Sequence, residues 1–330
     1  MHVHFVLTNE ATPLAALERL DPDRDWQQFV TTTCAWILQT YLRLRAAGCP
    51  VSLTREIPQD GIAVVSTGDY HAILRNRALR TRALIVATRG SYRRTPWFAD
   101  VAIVHNRAQA DGVQRLFMTH WPQPALLPRR SERGAAIKRI AHKGFPANFR
   151  HEFREPRWRN FLHAHGIDWI EDSADYANLE TDISKLQWPD YRDVDLILAV
   201  REPDPKRYPG RPATKLYNAW LAAVPALLGP ELAYRAERSH PDDYIEVNSV
   251  ADAEAAVQTL LEQPQRYLAL VARARARAQE FTVQATTRRW QRLLFEELAE
   301  RTQRQAAKRG ARSLAARQLT GCLRWAFAKR

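Results

Sequence analysis

Arg211-Pro-Ala-Thr214-Lys215-Leu-Tyr-Asn218-Ala-Trp-Leu-Ala-Ala-Val-Pro225-Ala-Leu-Leu-Gly229-Pro-Glu231-Leu-Ala-Tyr234 is the segment whose reading decides the fold of this 330-residue chain. It reads as a loop, then a helix whose first turn carries Lys215 and Asn218. A break at Pro225, a short apolar strand at 226–228 and an acidic loop at Glu231 follow. The opening turn of a helix holds N–H groups without helical partners and a partial positive charge. Thr214 is the expected N-cap, and Lys215 adds a full charge beside it. That combination suits a phosphate or diphosphate. Glu231, one strand later, has the chemistry to accept hydrogen bonds from ribose hydroxyls.

Working outward, strand-like and helical runs alternate along the whole chain. Apolar runs at 2–8, 51–53, 62–66, 83–87, 101–104 and 115–119 read as strands, with helical segments at 26–46, 70–79 and 106–113. The stretch 120–133 breaks this pattern with Pro122, Pro124 and Pro128 and reads as a linker. Alternation then resumes, with strands at 140–144, 167–170, 194–200, 226–228 and 244–247. Helices at 154–165, 250–261, 264–281 and 283–307 complete it. Short continuous apolar runs alternating with helices signal parallel sheets, here two in succession, each doubly wound.

Composition narrows the function classes. A hydrophobic share of 45% and a charged share of 26% are ordinary globular values. Cys34, Cys49 and Cys322 have no metal-ligand spacing, so they read as reduced thiols of a cytosolic protein. The amino terminus has neither the basic start nor the long apolar run of a signal peptide, and no stretch reaches the length of a membrane span. Trp97, Trp121, Trp158 and Trp188 stand beside Pro or charge, which marks them as candidates to line clefts or seams.

The net charge of +13 is concentrated in the tail. No Asp or Glu follows Glu300, whereas Arg301, Arg304, Lys308, Arg309, Arg312, Arg317, Arg324, Lys329 and Arg330 do. Leu314, Leu319, Cys322, Leu323, Trp325, Ala326 and Phe327 are interleaved with them. A basic amphipathic tail with an aromatic end suits an anionic membrane surface. No RNA- or DNA-binding motif accompanies the charge, so nucleic acid is not the expected partner.

The segment from Lys215 to Glu231 resembles the donor-binding stretch of GT-B glycosyltransferases. Trp188-Pro-Asp-Tyr-Arg-Asp-Val-Asp-Leu-Ile-Leu-Ala-Val-Arg201 resembles the strand and loop on the opposite side of the nucleotide. The likeness of layout covers roughly residues 1–300, and the motif content lies within 188–234. The resemblance implies an α/β fold of two Rossmann-like doubly wound domains facing each other. An acceptor-side domain would span 1–133, a nucleotide-sugar-binding domain 134–285, and a return helix with a basic helical tail 286–330. It also implies transfer of a sugar from a nucleotide-sugar to the hydroxyl of a polysaccharide, glycolipid or metabolite, with domain closure excluding water. The donor is then a substrate, no further cofactor is needed, and a lipid-linked acceptor would explain the tail. The expected location is cytoplasmic, with a peripheral hold on membrane.

The chain departs from the family in two places. Glu231 and Glu237 stand too close to match the glutamate pair of many retaining members, which leaves the stereochemical outcome open. Thr8-Asn9-Glu10-Ala-Thr12 replaces the glycine-rich turn expected after the first strand. The enzyme rival is a sugar-nucleotide 2-epimerase of the same architecture. The non-enzyme rival is a basic membrane- or nucleic-acid-binding protein.

Specific residues carry the donor reading. Lys215 and Arg201 would neutralise the diphosphate, Thr214 and Asn218 would line the helix start, Gly144 would let backbone approach the ligand, and Glu231 would hold the ribose. An inverting transfer needs a general base. Asp69 and His71, after a buried strand, and Glu10, after the first strand, are the candidates, with His105 and Asn106 as acceptor contacts. Asp193/Asp195 and Asp23/Asp25 have the spacing of metal-binding pairs, but the first pair opens a buried strand and the second lies in a loop. No bound metal is expected.

Overall fold

A computed structural model describes residues 1–8, 11–75, 80–90, 95–174, 183–204, 206, 208–306, 312–313, 316–317 and 319–320. The chain divides into two compact units. Met1–His120, Gly210–Pro212 and Gln284–Arg330 make the first, and Trp121–Pro209 with Ala213–Val283 make the second.

The first unit contains β1 (Val3–Val6), β2 (Val51–Thr54), β3 (Ile62–Ser66), β4 (Arg80–Thr81), β5 (Leu84–Thr88), β6 (Val101–Val104) and β7 (Arg115–Phe117). Six of them form one sheet in the order β2-β1-β3-β5-β6-β7, every neighbouring pair parallel. Val6, Ala63, Val65, Ile85 and Ala87 turn to one face, where they pack with Ile57, Ile73, Leu74 and Phe98. The helices α1 (Leu14–Leu17), α2 (Gln39–Ala46) and α3 (Tyr70–Arg75) belong here.

The helix expected over 26–46 is broken. A 3-10 turn at Trp26–Phe29 and a π-helical stretch at Cys34–Leu38 precede α2. Val30-Thr31-Thr32-Thr33 explains the interruption, because β-branched residues are poor helix formers and threonine hydroxyls compete for backbone groups. Thr31 does this, accepting a hydrogen bond from Cys34 N through Oγ1 at 3.3 Å.

The second unit carries β8 (Arg139–Lys143), β9 (Asp168–Asp172), β10 (Leu196–Ala199), β11 (Ala226–Leu228) and β12 (Ile245–Glu246), in the order β12-β11-β10-β8-β9 and again all parallel. The two-residue period of β10 feeds two cores. Leu196, Leu198 and Val200 pack with Phe153, Trp158, Val250 and Val257, while Ile197 and Ala199 pack with Tyr217, Trp220, Tyr234 and Phe281. Burying each large apolar side chain contributes about 1.5–3 kcal/mol. The covering helices are α4 (Pro156–Ala164), α5 (Thr214–Leu221), α6 (Leu232–Glu237), α7 (Val250–Glu262) and α8 (Pro264–Ala278).

The stretch 120–133, read from sequence as a linker, falls within the packing of the second unit from Trp121 onward. Trp121 is fully buried, Tyr191 N donates to Leu127 O at 2.9 Å, and Arg129 is buried against Asp195. Its prolines interrupt regular structure without interrupting packing. Trp158 and Trp188 are likewise core residues, and only Trp97 of the four singled out is exposed.

From Gln284 onward the chain belongs to the first unit. It runs through α9 (Val283–Gln291), a π-helical turn at Arg292–Glu297 and α10 (Leu298–Ala306), and then β13 (Arg312–Ser313), which pairs antiparallel with β4. Arg317 binds Asp100 at 2.5 Å and donates to the carbonyls of Thr81 and Ala83, both at 3.0 Å. This part of the basic tail is docked on protein. Leu319 is exposed, and Leu314, Cys322, Leu323, Trp325, Ala326 and Phe327 lie outside the described residues.

Candidate nucleotide-binding site

The site is built around α5. Its apolar residues fix it to the body of the second unit. Tyr217 stacks on Phe281 with centroids 4.4 Å apart, and Trp220 Nε1 donates to Asp243 O at 2.8 Å. Ala223, at φ +54°, turns the chain out of the helix toward Pro225 and β11, a left-handed step usually taken by glycine. Thr214 is not the cap expected from sequence. It is the first helical residue, and Ala213, which precedes it at φ −81° and ψ 32°, has no side chain able to cap.

Lys215 reaches from the first turn of α5 to the end of β8, where its ammonium donates to the Lys143 carbonyl. Gly144 is what makes this approach possible. A Cβ on Gly144 would lie 2.6 Å from Lys215 Nζ, and its φ of +143° is one that side-chain-bearing residues rarely adopt. The Lys143 side chain serves a different pair of partners, Asp172 at 2.9 Å and the Gln187 carbonyl at 2.7 Å.

Arg201 follows Val200 beyond the end of β10. Its Nε donates to Glu231 Oε1 at 2.9 Å, and its Nη1 donates to Asn148 Oδ1. Glu231 is buried and stands immediately before α6. The structure therefore brings together Gly144, Lys215, Arg201 and Glu231 where β8, β10 and β11 end. Carboxyl ends of parallel strands are where open α/β sheets collect ligands. Asn218 is used elsewhere, its Oδ1 accepting from Gln123 N at 3.0 Å and its side chain meeting the Tyr191 hydroxyl.

Electrostatics single out Lys215. Loss of water around the ammonium and the neighbouring Arg201 guanidinium lower its pKa to about 7, against partial compensation from Glu231. His142, one residue before Lys143, was not anticipated from sequence, where a histidine within an apolar strand reads as filler. Its Nδ1 meets Leu198 O at 3.1 Å and its ring lies against Phe149. Burial first, and the charge of Lys215 second, push its pKa well below the usual value and keep it neutral.

The acceptor-side candidates lie in the first unit and are dispersed. Glu10 lies outside the described residues. Asp69 is buried in the 3-10 turn that follows β3; the cap there is Ser66, whose hydroxyl accepts from Gly68 N at 3.1 Å. His71 is exposed on α3, edge-on to Tyr70. His105 is buried beneath Trp36 with Nδ1 at 3.0 Å from Met118 O, and burial holds it neutral. Asn106 caps the turn Arg107–Gln109.

The aspartate pairs have other partners. Asp195 binds Arg129 and Arg133, and Asp23 holds Arg43 through both oxygens at 2.6 and 2.8 Å. Among the described residues no group of three or more His, Cys, Asp or Glu stands together as a metal-ligand set, and no helix is long and apolar enough to cross a membrane.

Two Rossmann-like units with these sheet orders constitute the GT-B fold, and solved structures share it. HepE from Anabaena, in complex with UDP and glucose, is similar with a TM-score of 0.53 at 12% identity, over 90% of this chain and 100% of that one. Sucrose-phosphate synthase from Thermosynechococcus elongatus is similar with a TM-score of 0.51 at 11% identity, over 80% and 93%. TarM is matched at a TM-score of 0.46 and 11% identity over 72% of this chain, which spans 56% of the TarM chain. No family model matches the sequence, and no curated protein sequence matches it.

Proposed function

We propose that this protein is a glycosyltransferase that moves a sugar from a nucleotide-sugar to a hydroxyl acceptor. The observation that carries the reading is the placement of Lys215 and Arg201 around the Gly144 turn, at the start of α5 and the ends of β8 and β10. Two cations and the amino end of a helix are suited to a diphosphate, and they stabilise the negative charge that develops on it as the sugar departs. Glu231, carried toward the same place by β11, is assigned to the ribose, and ligand binding would then compete with its pairing to Arg201. The fold shared with HepE, whose structure holds UDP and glucose, supports a uridine diphosphate sugar as donor. Nothing in this reading calls for an epimerase.

Asp69 is our choice over His71 and Glu10 for the base that takes the acceptor proton, because it is buried in the turn directly after β3, whereas His71 is exposed on α3. In this proposal the diphosphate is neutralised by Lys215 and Arg201, so transfer needs neither a metal ion nor a further cofactor and should persist in EDTA. The interleaved Leu and Arg residues of the tail support an anionic lipid surface and a lipid-linked acceptor, with Arg317 already committed to Asp100.

A thermal-shift screen of nucleoside diphosphates and their sugars tests the donor assignment, since a ligand of the folded state raises its apparent stability. At least one should stabilise the protein; a flat screen would remove the proposal. Asp69→Asn should then lower transfer by about 100-fold or more while leaving donor affinity unchanged. Unaltered turnover would reassign the base.

A further inference from the structure

Lys215 is matched differently from the other charged groups around it. Arg201 is paired with Glu231, and Lys143 is paired with Asp172, each at 2.9 Å. Both carboxylates that face Lys215 are thus already balanced by another cation. The Lys215 ammonium bonds instead to a peptide carbonyl, that of Lys143, packed against the Gly144 turn. His142 adds no charge of either sign, because burial keeps it neutral. The ammonium also sits in the first turn of α5, where the helix dipole opposes a positive charge. Two like charges, little water and the positive end of a helix all favour the neutral amine in the empty site. A diphosphate reverses the balance by placing two negative charges where the carboxylates leave none to spare.

We propose that this site takes up a proton when it binds a nucleoside diphosphate, and that Lys215 is the group that receives it. The inference rests on the reading of the site as a donor diphosphate site. Its consequence is regulatory: donor affinity falls as pH rises through the neutral range, because each binding event must draw a proton from solvent. Below that range Lys215 is already charged and the dependence disappears, consistent with its lowered pKa of about 7.

Calorimetry of UDP-glucose binding in paired buffers of different ionisation enthalpy, HEPES and Tris at pH 8 and MES and Bis-Tris at pH 6, reads the proton directly. UDP-glucose suits the test because its phosphodiester groups do not titrate near neutrality. For the unmodified protein the heats should differ between buffers at pH 8 by a large fraction of one proton, and converge at pH 6. The affinity should fall by up to about tenfold per pH unit above pH 8. Lys215→Arg, which keeps a permanent charge, should bind UDP-glucose with buffer-independent heat. Buffer-independent heat in the unmodified protein, or uptake that persists in Lys215→Arg, would overturn the inference while leaving the donor site standing. No binding heat in any buffer would overturn the donor reading itself.

Discussion

The two ends of β10 hold the same kinds of group in opposite states of balance. At its amino end Asp195 is fully buried and saturated. It accepts from Arg129 and Arg133 and from the backbone N–H groups of Lys138 and Arg139 at 2.8 and 3.0 Å. At its carboxyl end Arg201 and Glu231 form one pair, and Lys215 is left with a carbonyl. A buried carboxylate met by two guanidinium groups and two N–H groups is a structural clamp. An amine beside already balanced carboxylates is poised to take up charge with an anion that arrives from outside. The distinction between scaffold and site is thus one of charge bookkeeping at two ends of one strand, since residue type is similar at both.

Removing the clamp should have the largest effect. Asp195→Ala leaves the buried Arg129 without its carboxylate and Arg133 with only Asp193, at 3.5 Å, and should destabilise the second unit by about 3–5 kcal/mol in urea unfolding. Donor affinity per folded molecule should stay unchanged. The same clamp confers acid sensitivity. Burial alone would raise the Asp195 pKa, but Arg133, the Lys138 N–H and Arg129 outweigh it and leave the pKa below the usual carboxylate value. A carboxylate whose pKa is lower in the folded state stabilises fully above its unfolded value, near pH 4, and loses that contribution as pH falls through the folded value. Unfolding monitored from pH 5 to pH 2 should show this loss in the unmodified protein and not in Asp195→Ala.

Gly144→Ala sharpens the contrast at the other end. The new methyl would fall on the Lys215 ammonium at a backbone angle that disfavours it, so stability should drop by about 1–2 kcal/mol and donor affinity should drop with it. Denaturation and titration of the same sample separate the two losses. Thr214→Ala should have the smallest effect, within about 0.5 kcal/mol, because Thr214 is inside the helix and does not cap it. A loss near that of a true cap, about 1 kcal/mol, would show that its hydroxyl serves the helix start after all.

Much of this was legible in the sequence. The strands Ile62–Ser66, Val101–Val104 and Ala226–Leu228 fall where the apolar runs placed them, because a buried parallel strand leaves an uninterrupted apolar signature. Lys215, Arg201, Gly144 and Glu231 come together because each stands at the end of a strand or the start of a helix, positions that sequence punctuation marks well. Asn218 is expected from sequence at the donor site, and its hydrogen-bond partner in the structure, the Gln123 backbone, is too distant in sequence to be read locally. Asp195 reads from sequence only as half of a metal-binding pair; its arginines, Arg129 and Arg133, both lie in the proline-rich stretch 120–133, which local patterning reads as a linker. The cap at Thr214 failed since helix propensity cannot say which residue the preceding loop delivers as the first with helical geometry.

The most direct test of the central claim compares UDP with uridine by calorimetry, in the unmodified protein and in Lys215→Ala. Lys215 is assigned to the diphosphate alone, and a hydrogen bond to a charged group is worth about 1.5–3 kcal/mol. The expected result is a loss of about ten- to hundredfold in UDP affinity with uridine affinity unchanged. An equal loss for both ligands, or no loss for either, would contradict it.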